Sequence, residues 1–308
     1  MPYLGETCAL LTAVCWTASS LAFGVASRAK GGIACNQFRL WAALPVLGVL
    51  VWLSTGGLWP MHAPSDRILV LALSGLSGLV LGDIGYFHAL ATIGPRLSSV
   101  VMASWPAMAA GMAALQGELP TATMLLGIAL SMAGVVVVLL RSREGSAWRP
   151  GLTRAQWWTG VAGALLGAFG QALGVVLAKV GMADTGDVPG GIDPLPATFV
   201  RMATAAVGLQ LVTTLRRQPL AMLAVVRHRV ALQAALIGMV FGPVLGVWLS
   251  MTATHLAPLG VVSTLMATTP LFMMPLAKFA YGARIGLLGV LGTLLTVAGV
   301  ALLLWPST

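Results

Sequence analysis

An all-α polytopic membrane protein, with ten transmembrane helices arranged as two inverted five-helix repeats, is the fold class this 308-residue sequence predicts. Three observations carry it. Hydrophobic residues make up 58% of the chain and charged residues 8%, whereas an ordinary soluble domain is about a quarter charged. Apolar runs recur, each about as long as the roughly 20 residues that cross a bilayer's hydrocarbon layer. The second half of the chain also repeats the first.

Breaks at charged and Pro/Gly-rich positions delimit helices at roughly 4–25, 36–54, 68–92, 97–116, 121–140, 157–180, 196–215, 230–254, 258–279 and 285–305. Glu6 stands where a signal peptide carries positive charge, and no small-residue cleavage site follows the first run, so that helix is expected to stay in the mature protein. Cys8 and Cys15 lie seven residues apart on one helix, about 10 Å along its axis, too far for a disulfide. No Cys/His cluster has metal-ligand spacing and no Gly-rich phosphate loop follows a strand, so neither a metal nor a cofactor is expected.

The net charge is +9, and its placement matters more than its size. If the helices alternate, one side collects Arg28, Lys30, Arg96, Arg141, Arg143, Arg149, Arg154, Arg216, Arg217, Arg227, Arg229, Lys278 and Arg284. The other side holds Arg67 and Lys179 with Glu6, Asp66, Glu118, Asp184, Asp187 and Asp193. The positive-inside rule makes the first side cytoplasmic in a cell (inner) membrane and leaves both termini outside. Topology and anionic lipid headgroups account for the basic balance without nucleic acid.

The repeat is visible where "GIALSMAGVVVVLL" (127–140) lies over "GTLLTVAGVALLLW" (292–305). Upstream, Pro106 in "SWPAMAA" falls over Pro270 in "TTPLFMM", "GLVLG" at 78 over "GMVFG" at 238, and Arg39 over Arg201. The repeats span 1–145 and 157–308, joined by a basic loop at 146–156. An odd number of helices per repeat makes the second half enter the membrane from the opposite side.

These features resemble the ten-helix EamA-type branch of the drug/metabolite transporter superfamily. The resemblance rests on the doubled unit, the early tryptophan in "AVCWTASS", an arginine in the second helix of each half, and "GDIGYFHALATIGPRLSSVVMASWPAMAAGMAALQGELP". It covers nearly the whole chain and implies export of amino acids, metabolites or toxic organic compounds, without naming the substrate. The second half departs from the signature with "YGARIG", which puts Ala283 where the first half has Glu118. Relatives usually keep both termini inside, opposite to the charge map; a C-terminal reporter active only in the cytoplasm would overturn the outside assignment.

Glycines recur every three or four residues at 160, 163, 167, 170 and 174 in the sixth helix, at 75, 78, 82 and 85 in the third, and at 238, 242 and 246 in the eighth. Such stripes let backbones approach in lipid, and as a set they suit helices that slide. Gly82, Gly242 and the mid-helix Pro106 and Pro270 are the candidate kink or gating positions. Freed carbonyls near the prolines need cover from protein or a water-filled cavity, which points to a site at the repeat interface. Trp16, Tyr86, Trp105, Phe169, Gln171, Trp248, Thr268 and Thr269 are the candidate substrate-binding residues around it. Trp59, Trp148, Trp157, Trp158 and Trp305 fall at helix ends and read as interfacial anchors.

Asp83 is the carboxylate placed well inside a span, where an uncompensated charge is costly. Two readings stand: a coupling group that alternates between proton and substrate, or a structural partner of Arg39 or Arg96 or cap of the Gly82 to Gly85 turn. His88 reads as a satisfied polar residue near the cytoplasmic end, and Arg201 either as an interface anchor near the outer face or as a binder of a substrate carboxylate. The function these observations favour is a secondary active transporter of small organic solutes, exporting amino acids or related metabolites by alternating access, with protons as a candidate coupling ion. It needs no catalytic residues, and a monomer suffices. The alternatives are a polytopic membrane enzyme acting on a lipid or small metabolite, which His62, His88, His228 and His255 serve poorly because they lack carboxylate partners, or a passive channel or facilitator.

Overall fold

The computed structural model describes residues 3–57, 63–115, 121–142, 148–184, 191–282 and 286–303. Trp59, His62, Glu118, Ala283, Arg284 and Trp305 lie outside them. Among the described residues the secondary structure is helical and no strand occurs.

Helices α1 (Leu4–Lys30), α2 (Gly32–Thr55) and α3 (Ser65–Thr92) come first. Then follow two short helices, α4 (Gly94–Met102) and α5 (Trp105–Leu115), and the longer α6 (Ala122–Ser142). The second half holds α7 (Arg154–Met182), α8 (Pro194–Leu215), the four-residue α9 (Leu223–Val226) and α10 (Arg229–Leu256). It ends with α11 (Leu259–Met266), α12 (Thr269–Tyr281) and α13 (Leu287–Leu303). Eight helices, counting Val261–Tyr281 as one, are long and apolar enough to cross a membrane, and the shorter apolar segment Leu287–Leu302 joins them.

Local chemistry sets the boundaries. α1 and α2 are divided by Gly31 at φ +89, a left-handed conformation that only glycine takes without strain. Thr153 and Gln156 form a reciprocal capping box that starts α7, and His228 Nδ1 accepts the Ala231 N–H at 3.2 Å to start α10. α3 and α10 each contain a π-helical segment, Leu76–Gly82 and Val240–Val247. Both bounds of α3 and α10 differ by 164 residues, which pairs Gly78 with Gly242 and Gly82 with Gly246, one turn later than the sequence match suggested.

The breaks at the prolines also come in a pair. Instead of kinking a continuous helix, Pro106 and Pro270 sit in the first turn of α5 and α12, after turns at 103–104 and 267–268. Proline is suited to a first helical turn because its missing N–H has no partner to lose there. Ser104 Oγ donates to the Val101 carbonyl at 2.7 Å and Thr268 Oγ1 to the Leu265 carbonyl at 2.6 Å. Both of these carbonyls also accept the backbone N–H of the same residue, and the Met266 carbonyl, four residues before Pro270, accepts Thr269 Oγ1 at 2.7 Å.

Packing repeats across a pseudo-two-fold. α6 lies along α13: a Cβ on Gly134 would overlap the Thr296 backbone, and one on Gly299 would overlap the Ser131 backbone. α3 lies along α7 and α10 along α1, while α2 lies along α8. Buried Leu40, Leu47, Met202 and Leu209 fill the α2/α8 contact. Gln37, fully buried on α2, donates to Gln210 Oε1 and the Pro219 carbonyl, both at 2.8 Å, and accepts the Met222 N–H at 2.9 Å. One amide thereby ties α2 to the end of α8 and the segment beyond it.

Candidate functional site

The site begins with four residues brought together by α1, α2 and α3. Arg39, the eighth residue of α2, forms an ion pair with Asp83, which opens the α-helical turns after the π segment of α3. Both side chains are largely buried. The Arg39 guanidinium lies 5.1 Å from the centre of the Phe87 ring and 5.8 Å from that of Phe23, so two aromatic faces cover the charge that the carboxylate leaves open. Of the partners weighed for Asp83, Arg39 takes the place; Arg96 lies instead beside Tyr281.

One turn past Asp83, the Tyr86 hydroxyl and Ser20 Oγ share a hydrogen bond of 2.7 Å that links α3 to α1. Thr17 Oγ1 reaches the Thr269 carbonyl at 3.3 Å, joining α1 to the broken segment α11/α12. Between these elements a cavity encloses about 750 Å³ of empty space, part of it continuous with the outside. Trp16, Ser19, Ser20, Arg39, Asp83, Tyr86 and Trp105 line it from the first half, and Gln171, Gly242, Val247, Thr269 and Pro270 from the second. Its walls are mostly aromatic and aliphatic, with one paired carboxylate, one amide and several hydroxyls. That mix fits a small amphipathic molecule, with apolar surface against the rings and a few directed polar contacts.

Five sequence-named residues lie outside the cavity lining. Phe169 is 43% exposed, because the inward faces of α7 are taken by Gly163, Gly167 and Gly170 against α3. Trp248 is half-buried and packs on the α2/α8 cluster. The Thr268 hydroxyl is engaged by Leu265, Pro106 is buried in the first turn of α5, and Gly82 presses on Gly170. Sequence reasoning missed Ser19, Ser20, Phe23 and Phe87; the polar pair one turn past Trp16 was the available signal.

Other placements change too. Trp148 and Trp157 are 3% and 5% exposed, so neither is an interfacial anchor; Trp158, at 49%, is positioned as one would be. The Trp148 indole stacks under Arg28 at 4.6 Å, meets Tyr281 edge-on at 4.9 Å and covers Gly94, whose φ of +83 turns the chain from α3 into α4. Arg201 is 2% exposed, buried rather than at an interface. His88 Nε2 lies 3.3 Å from Thr159 Oγ1 on the surface. Among the described residues no cluster of three His, Cys, Asp or Glu could hold a metal, and the three cysteines are free and buried.

Comparison with known proteins gives the same architecture. No curated protein matches the chain. Chains of solved structures do: one, described only as the crystal structure of a protein, aligns over 97% of this chain and 94% of its own, with a TM-score of 0.63 and 19% identity. That likeness concerns the fold alone. The EamA-like transporter family model matches residues 3–140 and again 158–305. With nearly its whole length covered in two consecutive matches, the chain belongs to the EamA-like transporter family.

Proposed function

We propose that this multi-pass membrane protein is a secondary active transporter of small organic solutes, amino acids or related metabolites above all, working as an exporter by alternating access. The observation that carries the reading is the cavity itself. It lies where the two halves meet, draws its lining from both, and holds one buried carboxylate. A site shared by two pseudo-symmetric halves is reached from one side when they rock one way and from the other when they rock back.

On this reading the chain crosses the inner membrane ten times, α4/α5 and α11/α12 each forming one broken span. The two repeats at 1–145 and 157–308 are joined by the 146–156 loop, basic loops are cytoplasmic and both termini outside. The aromatic lining receives the apolar part of the solute, Gln171 and Thr269 its polar groups, and Asp83 exchanges its arginine for a proton or a substrate amine. A monomer encloses the whole pathway.

The test is exchange of a panel of labelled amino acids and organic cations in proteoliposomes, with and without a pH gradient. Asp83→Asn is compared with wild type, and Arg39→Gln/Asp83→Asn is carried alongside to separate uncoupling from loss of folding. Wild-type exchange with a mutant that exchanges but ignores the gradient makes Asp83 the coupling group. Equal responses make it structural. No acceleration by solute loaded on the far side would indicate a channel, and chemical change of the solute an enzyme.

A further inference from the structure

Arg39 and Arg201 hold the same position in the two halves, each the eighth residue of its helix, and both are buried. Their surroundings differ. Arg39 has Asp83 and two ring faces. Arg201 has the Met251 sulfur, 2.8 Å from Nη1, and the Nε of each arginine is without a hydrogen-bond partner. Among the described residues no carboxylate lies within ion-pair distance of it, and Trp248 opens the turn after the second π segment where Asp83 opens the turn after the first. A guanidinium held in the interior by a thioether is poorly compensated, since a buried charge is tolerated when paired and hydrogen-bonded.

The charge whose field reaches Arg201 is Asp83. Arg201 Nη2 stands 3.6 Å from where a Cβ on Gly78 would be. Gly78 precedes Asp83 by five residues on the same helix, about 7.5 Å along its axis. Gly78 is itself in the π segment Leu76–Gly82, which ends at the residue before Asp83. Returning one π turn to α geometry shifts the register by one residue, which turns the side chains beyond it by about 100°. Leu79 and Val247, both in the cavity wall, adjoin Gly78 and precede Met251 by one turn, so Arg201 lies directly behind that wall.

We propose that Arg201 is a second ion-pair partner of Asp83, engaged when Arg39 has released it and neither a proton nor a solute amine holds it, so that one carboxylate serves two pseudo-symmetric arginines in turn. The exchange deepens the transport reading and rests on it for its purpose: each pairing marks one orientation of the cavity, and the π segment of α3 carries the carboxylate between them. Arg201 is thus a positioning residue that acts through Asp83.

The test uses thermal unfolding midpoints of the full-length protein in detergent, with no solute present. Arg39→Gln, Arg201→Gln and the double variant are compared, each also combined with Asp83→Asn. The expected result is a double variant that loses several degrees more than the two single shifts together, because Asp83 then has neither partner. Asp83→Asn should remove that excess, and Arg39→Gln/Arg201→Lys should recover most of it. A double variant too unstable to purify, whose Asp83→Asn form purifies, is the same result in extreme form. Additive shifts, an excess that survives Asp83→Asn, or no recovery by lysine would overturn the exchange. Because no transport is measured, such a failure leaves the carrier reading standing, and a silent solute panel leaves the exchange standing.

Discussion

The α3/α7 and α1/α10 contacts are the same joint built twice from different materials. In the first, glycine meets glycine: Cβ atoms on Gly170 and Gly163 would come within 2.5 Å and 2.6 Å of the backbone at Gly82 and Gly85. In the second, glycines on α10 meet side chains: Gly238 faces Phe23, Gly242 faces Ser19, and Gly246 faces the indole of Trp16. Bare backbones approach as closely as helices can, whereas side chains stand one helix off the other. Trp16, Ser19, Phe23 and Gly242 of the α1/α10 contact line the cavity, whereas none of the glycines of the α3/α7 contact does. Asymmetry between equivalent joints thus decides where empty space is kept.

Substitutions at the two joints should differ in proportion. The largest loss is expected from Gly170→Leu, which drives a branched side chain into the backbone of α3 with nowhere to go; overpacking of this kind costs about 3 kcal/mol or more, read as loss of the folded peak in size-exclusion chromatography. Asp83→Asn comes next, since it strips Arg39 of its counter-ion; with two ring faces still on the cation, the loss should be about 3 kcal/mol, the low end for breaking a buried pair. Adding Arg39→Gln should restore much of the thermal midpoint.

The decisive pair is smaller. Gly170→Ala should cost about 2 kcal/mol and Gly242→Ala about half that, because the first meets backbone and the second a serine hydroxyl and ring edge that can shift. Equal midpoints for the two alanine variants would break the comparison. Smallest of all, Tyr86→Phe deletes the hydrogen bond to Ser20 and should lower stability by about 1 kcal/mol. If cavity shape matters for transport, that variant changes solute affinity more than the midpoint.

Much of this architecture was legible in the residues because membranes leave few options. Apolar length gave the helices, the glycine periods gave the face of α7 that meets α3, and the matched prolines marked the paired breaks. The singular position of Asp83 located the ion pair. What escaped reading depends on neighbours in three dimensions. Phe169 and Gln171 are two residues apart, and nothing in the local pattern says which faces the cavity and which points away. Trp148 sits near a helix start, as an interfacial anchor would, yet a fold from elsewhere in the chain brings Tyr281 and Arg28 around it. The π segments are silent in sequence, since an extra residue per turn leaves no compositional mark. Arg201 was expected at the membrane surface because it lies early in its helix, and its burial follows from the way α3 and α10 close over it.

Trp148 belongs to neither half by position, being in the segment that joins them, but it touches both: Arg28 and Gly94 on one side, Tyr281 on the other. The joining segment is therefore part of the seam as well as a tether across it. On the proposed alternating-access reading, rocking of one half against the other would change the contacts of this indole with Arg28 and Tyr281. In a variant that keeps Trp148 as its sole tryptophan, a shift in the colour of its emission on adding solute would report that movement, and an unchanged colour would show this end of the seam staying shut.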